Sequence, residues 1–378
     1  MKAVTYQGFM DVKVKDVSEP IIKNSDDIIV KITHSSICGS DLHFYHGMIP
    51  SLQKGSIIGH EAIGIVHEIG EGVSKVSKGD KVVIPYNIAC GVCDNCKNYL
   101  ESQCMVANVE GEIGACYGCS RLYGDYSGSQ AEYVRVPFAN FTPYVVPAHN
   151  TITDEELLLL TDALPTAYWG ITQSGMKKGD TVIVIGCGPI GLLTQKLAWL
   201  YGAKRVIAVD RIPYRIEHSI RWNKTEGYNI DQEDLLSDVI RDITNGGADI
   251  VIDCVGMSGK MTAIEMLETA LQLQGGALGT IEFASQVVKI GGTIQLVGIY
   301  GLRYNQFPLG DFFARNITIK MGLAPAVHNV PLLYNLLQKQ QLNTKDIITH
   351  SFPLTEAEHA YRIFNRRKEN CLKIILKP

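Results

Sequence analysis

One stretch constrains this 378-residue chain more than any other: Thr181-Val182-Ile183-Val184-Ile185, then Gly186-Cys187-Gly188-Pro189-Ile190-Gly191, then an apolar helical run to Tyr201. A short, fully apolar run closed by glycine reads as a strand buried on both faces. A second run, Arg205-Val206-Ile207-Ala208-Val209, ends in Asp210, and 250–252 and 293–297 supply further strands. Residues 234–244 form an amphipathic helix between them. Strands alternating with helices predict an α/β fold, a doubly wound parallel sheet of Rossmann type covered on both faces.

The glycines match G-x-G-x-x-G, a weak signal alone in a chain with 36 glycines, but a strong one between a buried strand and a helix. Gly186 permits the tight turn, Gly188 lets backbone approach a pyrophosphate, and Gly191 lets helix and strand pack closely, with Pro189 and Ile190 opening the helix. The helix N-terminus then offers unpaired N–H groups to phosphate. Asp210, nineteen residues beyond Gly191, is placed to accept the adenosine ribose hydroxyls and to repel a 2′-phosphate, favouring NAD over NADP. Arg211 beside it works the other way, since a guanidinium supports a phosphate.

The first 85 residues are different: short apolar runs at 27–32 and 81–84 among dense glycines predict a β-rich, barrel-like unit. Just beyond it, Cys90, Cys93, Cys96 and Cys104 crowd into fifteen residues. Two-residue spacings let a chain wrap one tetrahedral ion, so four thiolates predict a closed, structural zinc. An iron–sulfur cluster is the alternative, although the final spacing departs from the ferredoxin pattern. The N-terminus lacks the apolar core of a signal peptide, which points to a cytoplasmic address where disulfides are rare. Net charge of −4 gives no case for nucleic acid, and no apolar run approaches bilayer length. Residues 107–130 read as a long loop, functional or mobile. Within it Cys116 and Cys119 read as an incidental thiol pair; a redox pair or a further metal site are the alternatives.

Cys38 and His60 in isolation read as a buried thiol and a satisfied histidine. Their settings, Cys38-Gly39-Ser40-Asp41-Leu42-His43 and Gly59-His60-Glu61, change that when joined to the four-cysteine lobe, the glycine fingerprint and the closing Lys373-Ile374-Ile375-Leu376. Together these resemble the zinc-dependent medium-chain alcohol dehydrogenases over essentially the whole chain. The 107–130 insertion, Gln130 to Pro137 and Thr161-Asp162-Ala163-Leu164-Pro165-Thr166 look closest to the glutathione-independent formaldehyde dehydrogenase-like branch. The resemblance implies a GroES-like catalytic domain over 1–163, a nucleotide domain over 164–316, a return segment over 317–378 and an active site in the cleft between domains. It implies that Cys38, His60 and Asp162 ligate a catalytic zinc, the second zinc of the chain, with Glu61 adjacent or an occasional ligand. An alcohol bound at the open position becomes acidic enough to lose its proton, and its carbon passes hydride to nicotinamide.

The same resemblance implies a proton route from Ser40 to His43 at the surface, Thr166 near nicotinamide, Lys373 on the pyrophosphate and Tyr86 lining the substrate pocket. It suggests that the insertion covers the adenine end of the cofactor. The expected substrate is a small alcohol or aldehyde, and the expected assembly a homotetramer or a homodimer built on the edge around 293–300. Formaldehyde oxidation or aldehyde dismutation uses the same residues and is the alternative function. A non-catalytic NAD- or zinc-binding role is disfavoured by the intact ligand set.

Overall fold

The computed structural model describes residues 1–49, 51–108, 111, 113–233, 235–259, 261, 265, 276–301, 304, 305 and 307–378. Asp234, at the start of the expected amphipathic helix, and residues 109, 110 and 112 of the insertion lie outside them. The chain divides into two compact units, Met1–Pro165 with Pro325–Pro378, and Thr166–Ala324.

The second unit is a six-stranded, all-parallel sheet in the order Glu226–Asn229, Arg205–Asp210, Thr181–Ile185, Ala248–Asp253, Val288–Leu296, Thr318–Met321. This is the doubly wound order with its switch point beside the central strand Thr181–Ile185, all five residues of which are buried. Two expectations change here. Residues 317–324 belong to this unit, because Thr318–Met321 is its sixth strand; the return segment begins at Pro325. For the same reason 293–297 is no free edge, since Thr293 pairs with Thr318.

The first unit is built on a seven-stranded sheet around the long strand Ile28–Ile37. That strand pairs antiparallel with Ala62–Ile69, Tyr133–Val136 and Lys373–Lys377, so the last strand of the chain is placed beside residues 35–37. The insertion is not an isolated loop: Ala107, Ala115 and Tyr117 are buried in the same apolar cluster as Ile28, Val82, Cys96 and Cys104. Tyr117 is fully buried. No helix among the described residues is long and apolar enough to cross a membrane.

Candidate metal centres and nucleotide site

The Cys90, Cys93, Cys96 and Cys104 side chains converge to within 4.8 Å of one another. Their sulfurs stand 3.5 Å apart for Cys93–Cys96, 3.9 Å for Cys93–Cys104 and 4.0 Å for Cys90–Cys96. Thiolates about 2.3 Å from a tetrahedral ion have edges of about 3.8 Å, so the donor set fits zinc. Backbone N–H groups of Val92 and Cys93 donate to Cys90 Sγ at 3.4 and 3.3 Å, and that of Cys90 to Cys104 Sγ at 3.3 Å, supporting thiolate charge.

A second cluster, also within 4.8 Å, brings together Cys38, His60, Glu61 and Asp162, all buried. Asp162 Oδ2 lies 3.2 Å from Cys38 Sγ and 3.3 Å from His60 Nε2. One soft sulfur, one imidazole nitrogen and one carboxylate oxygen suit zinc. The field there is negative. Burial, Asp162 and Glu61 push the Cys38 thiol up. Burial opposes charge on His60, but Asp41 and Asp162 outweigh it and drive its pKa well above the usual value. Burial likewise opposes ionisation of Asp162, yet His60 holds its carboxyl at about 2. A cluster of this kind favours a cation at its centre, and Glu61 Oε1 has no hydrogen-bond partner among the described residues.

Neighbours orient these groups. His60 Nδ1 lies 3.2 Å from Asp41 Oδ1, which fixes the ring with Nε2 toward the cluster, the arrangement common behind metal-bound histidines. Asp41 in turn accepts from the Cys38 amide at 2.9 Å and from Gln130 Nε2 at 3.2 Å. Neither Asp41 nor Gln130 is assigned a role by the sequence, although both sit inside the motifs that carry the resemblance. Ser40 Oγ is 3.4 Å from His60 Nε2, and the Tyr86 ring stands edge-on to His60 at 6.2 Å.

Three sequence expectations are corrected here. His43 is not at the surface: the short helix Asp41–Tyr45 turns it inward, 4% exposed, and burial with the neighbouring His46 lowers its pKa to about 4. Lys373 does not present its ammonium to solvent for a pyrophosphate. It is 2% exposed, and a buried ammonium needs a counter-ion, which Glu61 supplies while also accepting from Ser36 Oγ. Cys116 and Cys119 are not incidental thiols but a disulfide, because the turn through Gly118 brings their Cα atoms to 6.1 Å.

In the second unit the fingerprint is a cradle: Gly186 has φ +92°, and a Cβ on Gly191 would meet the Gly186 carbonyl oxygen at 1.8 Å. Gly188 precedes the helix Pro189–Leu200, in which Ile190 follows the proline in the first turn. Asp210 accepts the Cys187 amide at 2.6 Å and the amides of Arg211 and Ile212 at 2.6 and 2.9 Å, so it also ties the loop to the following turn. Arg211 is held by Asp231, its Nη2 at 2.7 and 2.9 Å and its Nε at 3.1 Å from the carboxylate oxygens. Thr166 is buried in the helix Ala163–Ser174.

Residues 24–148 match the alcohol dehydrogenase GroES-like domain, and 189–274 match the zinc-binding dehydrogenase domain. The uncharacterized zinc-type alcohol dehydrogenase-like protein AdhB of Bacillus subtilis is 52% identical over 378 residues, covering the whole of both chains. The chain belongs to the zinc-type alcohol dehydrogenases. It is therefore an oxidoreductase of the medium-chain family. The solved alcohol dehydrogenase TADH of Thermus sp. ATN1 is 33% identical, covers 100% of this chain and 99% of its own, and superposes with a TM-score of 0.86. The glutathione-independent formaldehyde dehydrogenase of Bacillus subtilis is 29% identical over 100% of this chain and 97% of its own, a more distant relationship than those two. The branch resemblance is thus the looser part of the family assignment.

Proposed function

We propose that this oxidoreductase is an NAD-dependent zinc alcohol dehydrogenase, interconverting a small alcohol with its aldehyde or ketone. The observation that carries the reading is the buried convergence of Cys38 Sγ, His60 Nε2 and Asp162 Oδ2, with separations of 3.2 and 3.3 Å about the shared carboxylate oxygen. These three residues hold the catalytic zinc, Glu61 stands beside them, and Cys90, Cys93, Cys96 and Cys104 hold a second, structural zinc. When bound, zinc with an open position acidifies an alcohol and NAD accepts its hydride.

The chain's own part is to orient the donors and to relay the proton. Asp41 fixes the His60 ring, and the Ser40 hydroxyl accepts the alcohol's proton as it passes its own on toward solvent. With a pKa of about 4, His43 stays neutral at pH 7, so the proton does not rest on it. Ser40→Ala is expected to lower turnover by about 10²-fold or more with zinc content unchanged, as for the loss of a general acid–base group. Near-wild-type turnover, with chemistry rate-limiting, would remove Ser40 from the mechanism.

NAD is favoured over NADP by two observations. The Asp210 carboxylate stands at the end of Arg205–Asp210, and Arg211, the cation next to it in sequence, is already paired with Asp231. Asp210→Asn removes the negative charge and one of the two oxygens that accept backbone amides, keeping the other. Its expected effect is a fall in the NAD/NADP ratio of kcat/KM by about 10- to 100-fold, the worth of a charge-assisted hydrogen bond. An unchanged ratio would assign Asp210 to loop architecture alone.

A homodimer or homotetramer completes the reading. Among the described residues the outer strand Thr318–Met321 has one sheet neighbour, and Met321 is 60% exposed. The deciding experiment counts zinc per chain and follows NADH formation with an alcohol panel and with formaldehyde. Alcohol-dependent NADH with about two zinc ions per chain is expected. Equal amounts of alcohol and acid formed from aldehyde without added NAD would replace dehydrogenation by dismutation.

A further inference from the structure

The Cys116–Cys119 disulfide lies outside both cysteine-containing clusters, yet its strand and turn pack on the residues that lead into each. Strand Ala115–Cys116 pairs with Asn87–Ile88, Asn87 facing Cys116 and Ile88 facing Ala115. That short strand joins Tyr86, beside His60, to Cys90, the first cysteine of the four-thiol lobe. Tyr86 donates its amide to the Thr161 carbonyl at 2.9 Å, one residue before Asp162, and accepts the Tyr117 amide at 3.4 Å. Between the two cysteines, Gly118 has φ +60°, and a Cβ there would come within 2.4 and 2.5 Å of Gly59 O and N. The turn closed by the disulfide is therefore packed backbone to backbone on the residue preceding His60. Cys116 is 8% exposed and Tyr117 is fully buried, whereas Cys119 is half-buried, so Cys119 is the less enclosed end of the bond.

We propose that Cys116–Cys119 is a reversible thiol–disulfide site for dithiol reductants, and that its oxidised form braces the turn seating His60. A thiolate of the reductant attacks Sγ of Cys119, the less buried of the two residues, forming a mixed disulfide as the S–S bond to Cys116 breaks. Cys116 leaves as a thiolate and takes up a proton. The second thiol of the reductant then closes its own disulfide, and Cys119 leaves and is protonated. Two electrons and two protons pass to the protein; a small-molecule disulfide reverses the step. Opening the bond removes the covalent closure of the glycine turn and returns conformational freedom to it, so the Gly59–His60 turn loses a rigid support. The consequence for metal retention rests on the reading of Cys38, His60 and Asp162 as the catalytic zinc site.

The zinc-loaded protein is equilibrated in dithiothreitol buffers of graded oxidised-to-reduced ratio, and free thiols are trapped with N-ethylmaleimide. Peptide mapping then gives the state of Cys116 and Cys119. Hydrogen exchange at residues 58–61 and zinc release to a chromophoric chelator are followed in each state. A reversible two-electron transition is expected, with exchange at 58–61 and release of one of the two zinc ions faster by about fivefold or more after reduction. Cys116→Ser/Cys119→Ser should show the fast values in both buffers; Cys119→Ala alone serves if the double variant does not fold. A pair that stays fully labelled in the oxidised protein, or exchange at 58–61 equal in both states, would overturn the proposal. A protein that holds no zinc at Cys38 would sink the catalytic reading instead, while hydrogen exchange still tests the brace.

Discussion

Cys38→Ala is expected to lower alcohol turnover by about 10³-fold or more and zinc content from about two to about one per chain, with little change in unfolding temperature. The size follows from what a Lewis acid contributes, several kcal/mol of charge stabilisation in the transition state at about 1.4 kcal/mol per tenfold. Alanine is the instructive replacement because it removes the donor while adding no bulk at a position only 6% exposed. The remaining Asp162, Glu61 and Asp41 carboxylates keep the field negative, so a residual weak cation site is expected rather than a collapsed one. Selectivity comes from location: the four-cysteine lobe has its own donors and hydrogen bonds, none of them from residue 38. Elemental analysis beside steady-state kinetics checks both halves. Loss of both zinc ions, or turnover within tenfold of wild type, would break the separation of a holding site from a reacting one.

The parts legible in the sequence are those written in local spacing. The strand–glycine–helix pattern has the structure it predicts because every residue of the fingerprint lies within one turn, and the cysteine lobe closes because its ligands lie within fifteen residues. The second cluster is of another kind. Cys38 and Asp162 stand 124 residues apart, and His60 and Asp162 stand 102 apart, so only the resemblance joined them. What no local pattern conveys is which buried charge meets which. Lys373 reads as a strand-end lysine until pairing of Ile374 with Ile37 brings it beside Glu61. His43 reads as a surface relay until the helix Asp41–Tyr45 is docked with that side inward. Asp41 lay in view, three residues from Cys38, but its role depends on a histidine nineteen positions away.

Lys373→Met is expected to destabilise the first unit by about 3–5 kcal/mol, because it leaves the Glu61 carboxylate buried without its ammonium. Lys373 is 2% exposed and Glu61 fully buried, so water cannot replace the lost partner. Burial opposes the charge on Lys373, but Glu61 outweighs it and raises the pKa, which keeps the ammonium charged throughout the neutral range. Glu61→Gln should cost a comparable amount, since it strands the ammonium instead. The double variant Glu61→Gln/Lys373→Met removes both charges and should lose less than the sum, a positive coupling of the kind double-mutant cycles measure. At about 2–4 °C per kcal/mol, the single variant should lower the unfolding temperature by roughly 10 °C. Additive losses would mean that the two charges do not compensate each other. The same variant also checks that Lys373 is a counter-ion and not a pyrophosphate contact. A counter-ion for Glu61 shows in unfolding and leaves the Kd for NAD measured on folded protein near its wild-type value, whereas a pyrophosphate contact weakens NAD binding and leaves unfolding unchanged.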